Sequence, residues 1–224
     1  EMTSSLVGSE MCIRDSIKSA NTNCYLLNTG SQIILIDTGT TADSNFLKNL
    51  GAKTNLSKID LVVLTHGHYD HVGYASILQK EYAIKIAVHK NDIAMVGSAS
   101  MDFPKAKGVL SSLIRKQTLS HIEKATYSAF IPDIIIESDM LADYPDIQFI
   151  SLPGHTSGSI GVMYESNLFA GDLVMNMPLP SLSWFAEDFT TMKKSLKQIQ
   201  HLNIKRIYPG HGKDFSGKWL KHIG

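Results

Sequence analysis

The hydrophobic residues of this chain follow two different spacings. Continuous apolar runs such as Ile33–Ile36 and 61–64 have the length of strands and are typical of strands buried on both faces. Elsewhere apolar residues recur every three or four positions, as at Phe46, Leu47 and Leu50, which predicts helices. Because the two spacings alternate along the chain, we predict an α/β fold.

The pattern gives approximate bounds for the elements. We predict strands over residues 23–28, 32–37, 59–64, 84–88, 134–136, 147–152, 159–164, 168–169 and 204–208. We predict helices over residues 42–50, 72–80 and 191–200. Between residues 91 and 130 apolar residues recur at helical spacing among basic residues, so we expect a helical insertion there.

The first sixteen residues differ from the rest of the chain. They show no hydrophobic period and no helix cap before an apolar face. Their acidic residues and lack of a long apolar stretch also argue against a signal peptide. We therefore predict that residues 1–16 are a run-in that is disordered or not native to the fold. Residues 17–224 are expected to form one domain that carries the insertion.

Composition narrows the class of partner. The chain has 224 residues, with 21 basic and 21 acidic side chains and a formal net charge of zero, so nucleic acid is not an expected partner. No apolar run approaches the roughly 18 residues of a membrane span. The two cysteines favour reduced thiols and a cytoplasmic location. We expect a small-molecule substrate, and the oligomeric state stays open.

Four of the predicted strands end in residues that can bind metals. The strand ending near residue 64 is followed by His66, His68, Asp70 and His71, and later strands are followed by His155, Asp172 and His211. The carboxyl ends of strands are where α/β folds build their sites. The other histidines (His89, His121, His201 and His222) lack this setting, and we expect structural or surface roles for them.

These residue types and their number favour two metal ions. Imidazole and carboxylate groups are common zinc ligands. The spacing of His66 and His68 lets two side chains of an extended segment point the same way. Seven donors exceed the four ligands of tetrahedral zinc, so a pair of ions that shares a carboxylate fits better.

The motifs resemble those of the metallo-β-lactamase superfamily. They are His-x-His-x-Asp-His at residues 66–71, Gly-His at His155, Gly-Asp at Asp172 and Gly-His at His211. The resemblance implies an αββα sandwich of two mixed sheets with helices outside. It also implies that His66, His68 and His155 hold one metal, that Asp70, His71 and His211 hold the second, and that Asp172 bridges them. Asp37 would support the site from behind the ligands, although a simple turn residue after a strand is an equal alternative.

The resemblance also bears on the reaction. The β-lactamases of this superfamily usually lack the bridging carboxylate, so Asp172 favours the branch of glyoxalase II-type thioesterases and lactonases. We expect two zinc ions, with iron or manganese as alternatives, and a metal-bound hydroxide that cleaves an ester, thioester or lactone. Asp70 would act as the catalytic residue that orients the hydroxide or takes its proton. A β-lactamase, or a mononuclear-iron enzyme that oxidises persulfides, stays open as an alternative.

An apolar loop follows Asp172. We expect it, together with the insertion, to line the mouth of the site. Two interpretations are open: the side chains pack against the insertion, or they form a pocket for an acyl chain. The candidate pocket residues are Met175, Met177, Leu179, Trp184 and Phe185.

Overall fold

The computed structural model describes residues 13–101, 103–108, 112–113 and 126–224. Its strands are β1 (Ile13–Ser19), β2 (Thr22–Asn28), β3 (Ile33–Ile36), β4 (Leu61–Val63), β5 (Lys85–His89), β6 (Lys105–Ala106), β7 (Ile134–Ile136), β8 (Gln148–Ser151), β9 (Ile160–Tyr164), β10 (Asn167–Gly171), β11 (Val174–Asn176), β12 (Pro180–Leu182), β13 (Phe185–Ala186), β14 (Arg206–Pro209) and β15 (Phe215–Ser216). Its α-helices are α1 (Phe46–Gly51), α2 (Tyr69–Val72), α3 (Ala75–Tyr82), α4 (Ile93–Ser98) and α5 (Phe189–Gln200). Short 3-10 helices cover Leu56–Lys58, Lys90–Asp92 and Gly217–His222.

Two mixed sheets form the centre of the molecule. The first has the order β1-β2-β3-β4-β5-β7, and the second has the order β15-β14-β10-β9-β8. In the first sheet β3, β4, β5 and β7 run parallel. In the second sheet β10 and β14 run parallel while β8 and β9 are antiparallel neighbours. Parallel strands bring their carboxyl ends to one edge of a sheet, which is where the site lies.

Alternation along the strands divides the core into three layers. In β2, Leu26 packs in the layer that contains the helical residues Phe46 and Leu78, whereas Leu27 packs in the layer that also contains Phe169 of the second sheet. Successive side chains of a strand point to opposite faces, so one sheet supplies both layers. A third cluster packs α5 on the outer face of the second sheet. The αββα sandwich is therefore confirmed.

The last helix shows how local sequence sets an element. Asp188 is the N-cap of α5, and its side chain accepts hydrogen bonds from the backbone N–H groups of Thr190 and Thr191, which satisfies donors that the first turn leaves unpaired. Met192, Leu196 and Ile199 recur at helical spacing and are buried. The helix begins at Phe189, slightly before the predicted bound, because the cap lies in the preceding loop.

The described part of the chain departs from the predicted domain bounds at its start. Asp15 and Ser16 belong to β1, a strand that was not predicted, and pair with Leu26 and Tyr25 of β2, so the folded domain begins before its predicted start at Ile17. Strand β1 lies at the edge of its sheet, and pairing there needs backbone hydrogen bonds rather than an apolar period. Residues 1–12 lie outside the described residues.

The insertion is described only in part. It contains α4 and the short strand β6, which pairs with β13. Most of its predicted helical repeat, between residues 109 and 122, lies outside the described residues. No helix in the described ranges is long and apolar enough to cross a membrane.

Candidate metal centre

The loop after β4 carries four of the candidate residues. His66 and His68 flank Gly67 in this loop, and Asp70 and His71 lie in the first turn of α2. His68 is extended at the N-cap of this helix, so the chain turns sharply between the histidine pair and Asp70. Three of the four residues are buried, and Asp70 is partly exposed.

Three strands of the second sheet carry the other candidates to the same place. His155 follows β8, Asp172 follows β10 and His211 follows β14. Backbone hydrogen bonds join these strand ends: Ile160 N–H donates to Thr65 O at 2.9 Å and Gly210 N–H donates to Gly171 O at 2.8 Å. The structure therefore brings all seven predicted residues together.

The donor atoms fall into overlapping groups in which they lie within 4.8 Å of one another. The groups are His66 with His68 and His155, His66 with His71 and Asp172, and Asp70 with His71 and His211. The first and third are the two ligand sets implied by the resemblance, and the second joins them through Asp172.

The carboxylate of Asp172 lies between the two outer groups. Its Oδ2 is 3.5 Å from His155 Nε2 and 3.2 Å from His211 Nε2. Its Oδ1 is 3.5 Å from His71 Nε2. One carboxylate that faces residues of both groups through two oxygens has the position that a bridging ligand needs.

Oxygen atoms behind the rings orient most of the histidines. His155 Nδ1 donates to the carbonyl oxygen of Phe185 at 2.8 Å, and His211 Nδ1 donates to that of Asn21 at 2.9 Å. A carbonyl oxygen can only accept, so the proton of each neutral ring is on Nδ1 and the lone pair is on Nε2. Nε2 of each ring faces Asp172, and this outer hydrogen bonding is typical of histidines that ligate metals.

His68 is oriented differently. Its Nδ1 lies 2.9 Å from His155 Nε2. His68 therefore faces the first group of donor atoms through Nδ1, whereas His155 and His211 use Nδ1 for the hydrogen bond behind the ring. Because the proton of His155 is on Nδ1, its Nε2 can only accept a hydrogen bond, and His68 Nδ1 can donate one to it. In the other tautomer of His68, both facing nitrogens carry lone pairs that a cation between the rings would satisfy.

Several buried polar atoms at the centre have no partner. Among the described residues, the buried side-chain atoms without a hydrogen bond include His66 Nε2, His71 Nε2 and Asp172 Oδ1 at this centre. An unpaired buried polar atom is costly, and native structures contain few of them. Their concentration around one point, together with their nitrogen and oxygen chemistry, fits a pair of divalent cations.

The pKa shifts separate two kinds of ligand. Burial, with neighbouring histidines, lowers the pKa of His66 and lowers that of His68 to about 3, so both rings are neutral. Burial raises the pKa of the Asp70 and Asp172 carboxyls, but His71 and His211 lower it by more, so both are ionised. Burial opposes the charge on His71 and His211 too, yet the adjacent carboxylates raise the pKa of each. Those two rings would release a proton on binding a metal.

Asp37 lies directly behind His71. Its Oδ2 accepts a hydrogen bond from His71 Nδ1 at 2.8 Å, and its Oδ1 accepts one from Thr65 N–H at 2.8 Å. Thr65 Oγ1 donates to Asp37 Oδ2 at 2.8 Å and lies 3.1 Å from His66 Nδ1. One buried carboxylate thus orients His71 directly and His66 through a hydroxyl group, which is more than a turn residue would do.

The turn between β1 and β2 also contacts the candidate ligands, and no sequence motif predicted these contacts. Thr22 Oγ1 donates to Asp70 Oδ2 at 3.1 Å, and the carbonyl oxygen of Asn21 orients His211. Neither residue carries a sequence signal for this role, because a Thr at the start of a strand is an ordinary β-former.

A cavity of about 340 Å³ opens onto the candidate ligands, which is within the usual range for small-molecule sites. Its apolar wall includes residues from both the insertion and the loop after Asp172: Met101, Phe103, Pro104, Met175, Met177, Trp184 and Phe185. The rings of Phe103 and Phe185 meet edge to face at a centroid distance of 5.8 Å. The loop therefore packs on the insertion and also lines the cavity, and a pocket for an acyl chain stays a prediction.

Leu179 is the exception among the predicted pocket residues. It does not line the part of the cavity formed by described residues, and 67% of its side chain is exposed. It lies in the turn between β11 and β12, which carries its side chain out into solvent.

Comparison with known proteins identifies the family. The family model described as the metallo-beta-lactamase superfamily matches residues 19–211. This chain belongs to that superfamily. The matched range contains all seven candidate ligands and ends at His211, the last of them.

Curated relatives of the chain include proteins with different names. "Beta-lactamase-like protein 2 homolog" of Drosophila melanogaster is 29% identical over 94% of this chain and 65% of its own length. A Methanocaldococcus jannaschii protein named as a probable metallo-hydrolase is 26% identical over 86% of this chain and 88% of its own length. "Hydroxyacylglutathione hydrolase 1" of Vibrio vulnificus is 26% identical over 84% of this chain and 60% of its own length. The chain thus spans about two thirds or less of the Drosophila and Vibrio relatives.

Solved structures share the fold. BLEG-1, a B3 metallo-beta-lactamase, superimposes with a TM-score of 0.72 at 19% identity and covers 93% of this chain and 96% of its own. TTHA1623, solved in a di-iron-bound form, gives a TM-score of 0.67 at 22% identity with the same two coverages. These likenesses establish the αββα architecture.

Proposed function

We propose that the chain is a dinuclear metal-dependent hydrolase that binds two zinc ions and cleaves an ester, thioester or lactone. The observation that carries the proposal is the cluster of seven ligand-type residues at the floor of the cavity. Several of their nitrogen and oxygen atoms are buried without a partner, and carbonyl or carboxylate oxygens fix the rings from behind.

The cluster divides into two ligand sets in this proposal. His66, His68 and His155 would hold one ion, Asp70, His71 and His211 would hold the other, and Asp172 would serve both. When bound, two such cations lower the pKa of a water molecule towards neutrality and stabilise the negative charge that develops on a carbonyl oxygen.

Asp70 has the position of a group that orients the attacking water. It lines the cavity, and its side chain is 20% exposed, unlike the fully buried His71 beside it. Thr22 and His211 contact its Oδ2 and fix the plane of the carboxylate. Its lowered pKa keeps it ionised, so it can accept a hydrogen bond from the attacking water and orient it towards the carbonyl carbon.

The apolar wall supports an acyl substrate. Trp184, Phe185 and Met175 line the same cavity as His155 and Asp172, so they would contact the chain attached to the reacting carbonyl carbon. The names of several relatives agree with this class, since one is a hydroxyacylglutathione hydrolase and another, from Aspergillus fumigatus, is a carboxyl ACP thioesterase.

A substrate panel tests the proposal. Zinc-loaded protein is assayed with esters, thioesters, acyl lactones and β-lactams, and the same preparation treated with a chelator serves as the control. We expect hydrolysis of one of the first three classes, with slower turnover of β-lactams, and loss of activity with the metal. β-Lactams as the fastest substrates by a wide margin, or a single bound iron with persulfide oxidation, would replace this function with one of the two alternatives.

A further inference from the structure

A further buried carboxylate lies at the same edge of the first sheet. Asp92 ends the 3-10 helix that follows β5 and is fully buried, with 0% of its surface exposed. Strand β5, which precedes this 3-10 helix, is the parallel neighbour of β4, and the loop after β4 leads into four of the candidate ligands. Asp92 is not one of the seven candidate ligands, and the hydrogen bonds behind His71 do not involve it.

Within the described part of the chain, the side chain of Asp92 accepts three hydrogen bonds, and they come from the loops that carry the first ligand set. Its Oδ2 accepts from the backbone N–H of Gly67 at 2.8 Å and from Thr156 Oγ1 at 2.8 Å. Its Oδ1 accepts from the backbone N–H of Gly158 at 2.9 Å. Gly67 separates His66 from His68, and Thr156 directly follows His155, so a single side chain joins both loops.

The surroundings are shaped to this carboxylate. A Cβ atom at Gly158 would overlap Asp92 Oδ1, so only glycine lets the backbone approach so closely. The neighbouring Asn91 also binds the loop after His155, because its side-chain amide donates to Ser157 O at 3.1 Å. A buried carboxylate is costly unless donors surround it, and hydrogen bonds to a charged acceptor are stronger than neutral ones.

We propose that Asp92 is a positioning residue that sets the distance between the His66–His68 loop and His155, and thereby the affinity of the first metal ion. The proposal rests on the dinuclear centre argued above. It assigns Asp92 to one ion only, since its bonds do not reach Asp70, His71 or His211. Asp37 has the corresponding place behind His71 in the second set.

Replacing Asp92 by Asn tests this assignment. The amide has nearly the same shape but puts an NH₂ group where a carboxylate oxygen accepts, so a donor faces a donor and at least one of the three bonds is lost. Zinc is titrated into metal-free protein in competition with a coloured chelator. We expect one of the two dissociation constants to rise about 10- to 100-fold and the other to stay at the wild-type value.

Variants that lack a ligand of one set identify which of the two ions Asp92 affects. With His211→Ala removing a ligand of the second set, Asp92→Asn should still weaken zinc binding. With His155→Ala removing a ligand of the first set, Asp92→Asn should have no effect on the remaining ion. Cobalt in place of zinc gives an independent measurement, because its visible absorption bands report the geometry of its ligands. Asp92→Asn should change these bands in the His211→Ala protein and leave them unchanged in the His155→Ala protein.

Control variants separate positioning from a loss of stability. Ile199 is buried in the last turn of α5 and belongs to the core cluster on the outer face of the second sheet, so Ile199→Ala should lower the melting temperature and leave both zinc affinities intact. Thr156→Val removes one donor to Asp92 and should weaken the first ion by less than Asp92→Asn, whereas Thr156→Ser keeps the hydroxyl and should restore binding. If Asp92→Asn fails to fold, the comparison of Thr156→Val with Thr156→Ser still tests whether the contact with Asp92 sets the affinity of the first ion.

Three results would overturn the inference. They are unchanged affinity for both ions in Asp92→Asn, equal weakening of both ions, and equal zinc binding by Thr156→Val and Thr156→Ser. A wild-type protein that binds no metal at all would instead remove the dinuclear centre itself, so the two failures are distinguishable.

Discussion

The floor and the mouth of the cavity belong to one site, but they are held in different ways. At the floor, side chains such as His71 and His155 are buried and hydrogen-bonded to Asp37 and to a backbone carbonyl. At the mouth, Trp184 and Phe185 are partly exposed, and an edge-to-face ring contact and a two-residue strand pair join the loop to the insertion. Directional bonds fix positions closely, whereas apolar contacts tolerate several arrangements.

This difference suggests a division of roles. Ligand atoms must stay within a few tenths of an ångström to hold a metal, which the floor can supply. A wall built from Met and aromatic side chains can adapt to several acyl groups, because Met side chains are flexible. Changes at the floor should therefore alter metal content, and changes at the mouth should alter substrate preference alone.

The largest effect is expected at Asp172. Asp172→Ala removes the one carboxylate that faces both ligand sets, so zinc content should fall for both ions and hydrolysis should be nearly lost. The decrease in kcat/KM should exceed the roughly 100-fold limit for changes behind the ligands. Elemental analysis and hydrolysis assays measure both quantities. His201→Ala, at the exposed C-terminal end of α5, serves as a control and should retain both ions. Two ions retained in Asp172→Ala would contradict the bridging position.

An intermediate effect is expected behind the floor. Asp37→Asn replaces an acceptor that binds His71 Nδ1 and Thr65, so His71 loses part of its orientation. We expect the affinity of the second ion to fall about 10- to 100-fold, measured by chelator competition. Asp92→Asn is the matched variant on the other side of the floor. Asp37 also reaches His66 through Thr65, so a smaller effect on the first ion is expected, and the comparison fails if Asp37→Asn weakens the first ion as much as Asp92→Asn does.

The smallest effect is expected at the mouth. Trp184→Ala should leave metal content unchanged and raise KM more for long acyl chains than for short ones, because apolar contacts contribute about 1–3 kcal/mol per methylene-scale difference at most. Michaelis constants for a series of chain lengths measure this. Leu179→Ala is the matched control, since that side chain is exposed and outside the cavity wall, and it should change nothing. An unchanged chain-length preference in Trp184→Ala would argue against an acyl pocket.

The sequence predicted the ligand residues at the floor of the cavity more completely than the residues that hold those ligands in place. The seven candidate ligands follow apolar strands in short motifs, so a local pattern reveals them. Asp92 and Thr22 act through hydrogen bonds to residues far away in the chain, and nothing in their local sequence distinguishes them from an ordinary capping Asp and a strand Thr. Strand β1 was not predicted for a similar reason, because an edge strand is held by backbone pairing that no apolar period marks.

The sequence predicted an apolar lining at the mouth of the cavity, but not which side chains of the loop face inward. The apolar composition of the loop after Asp172 indicated a lining role, and Met175, Met177, Trp184 and Phe185 do line the cavity. Leu179 was included because composition cannot tell which side chains of a hairpin face inward. That depends on the register of β11 and β12, which tertiary packing fixes.

Metal stoichiometry of the purified full chain tests the central claim most directly. Elemental analysis of wild-type protein, as isolated and after dialysis against zinc, should give two transition-metal ions per chain, and the same analysis of His68→Ala should give fewer. A wild-type chain that holds no transition metal and takes up neither zinc nor iron would contradict the account.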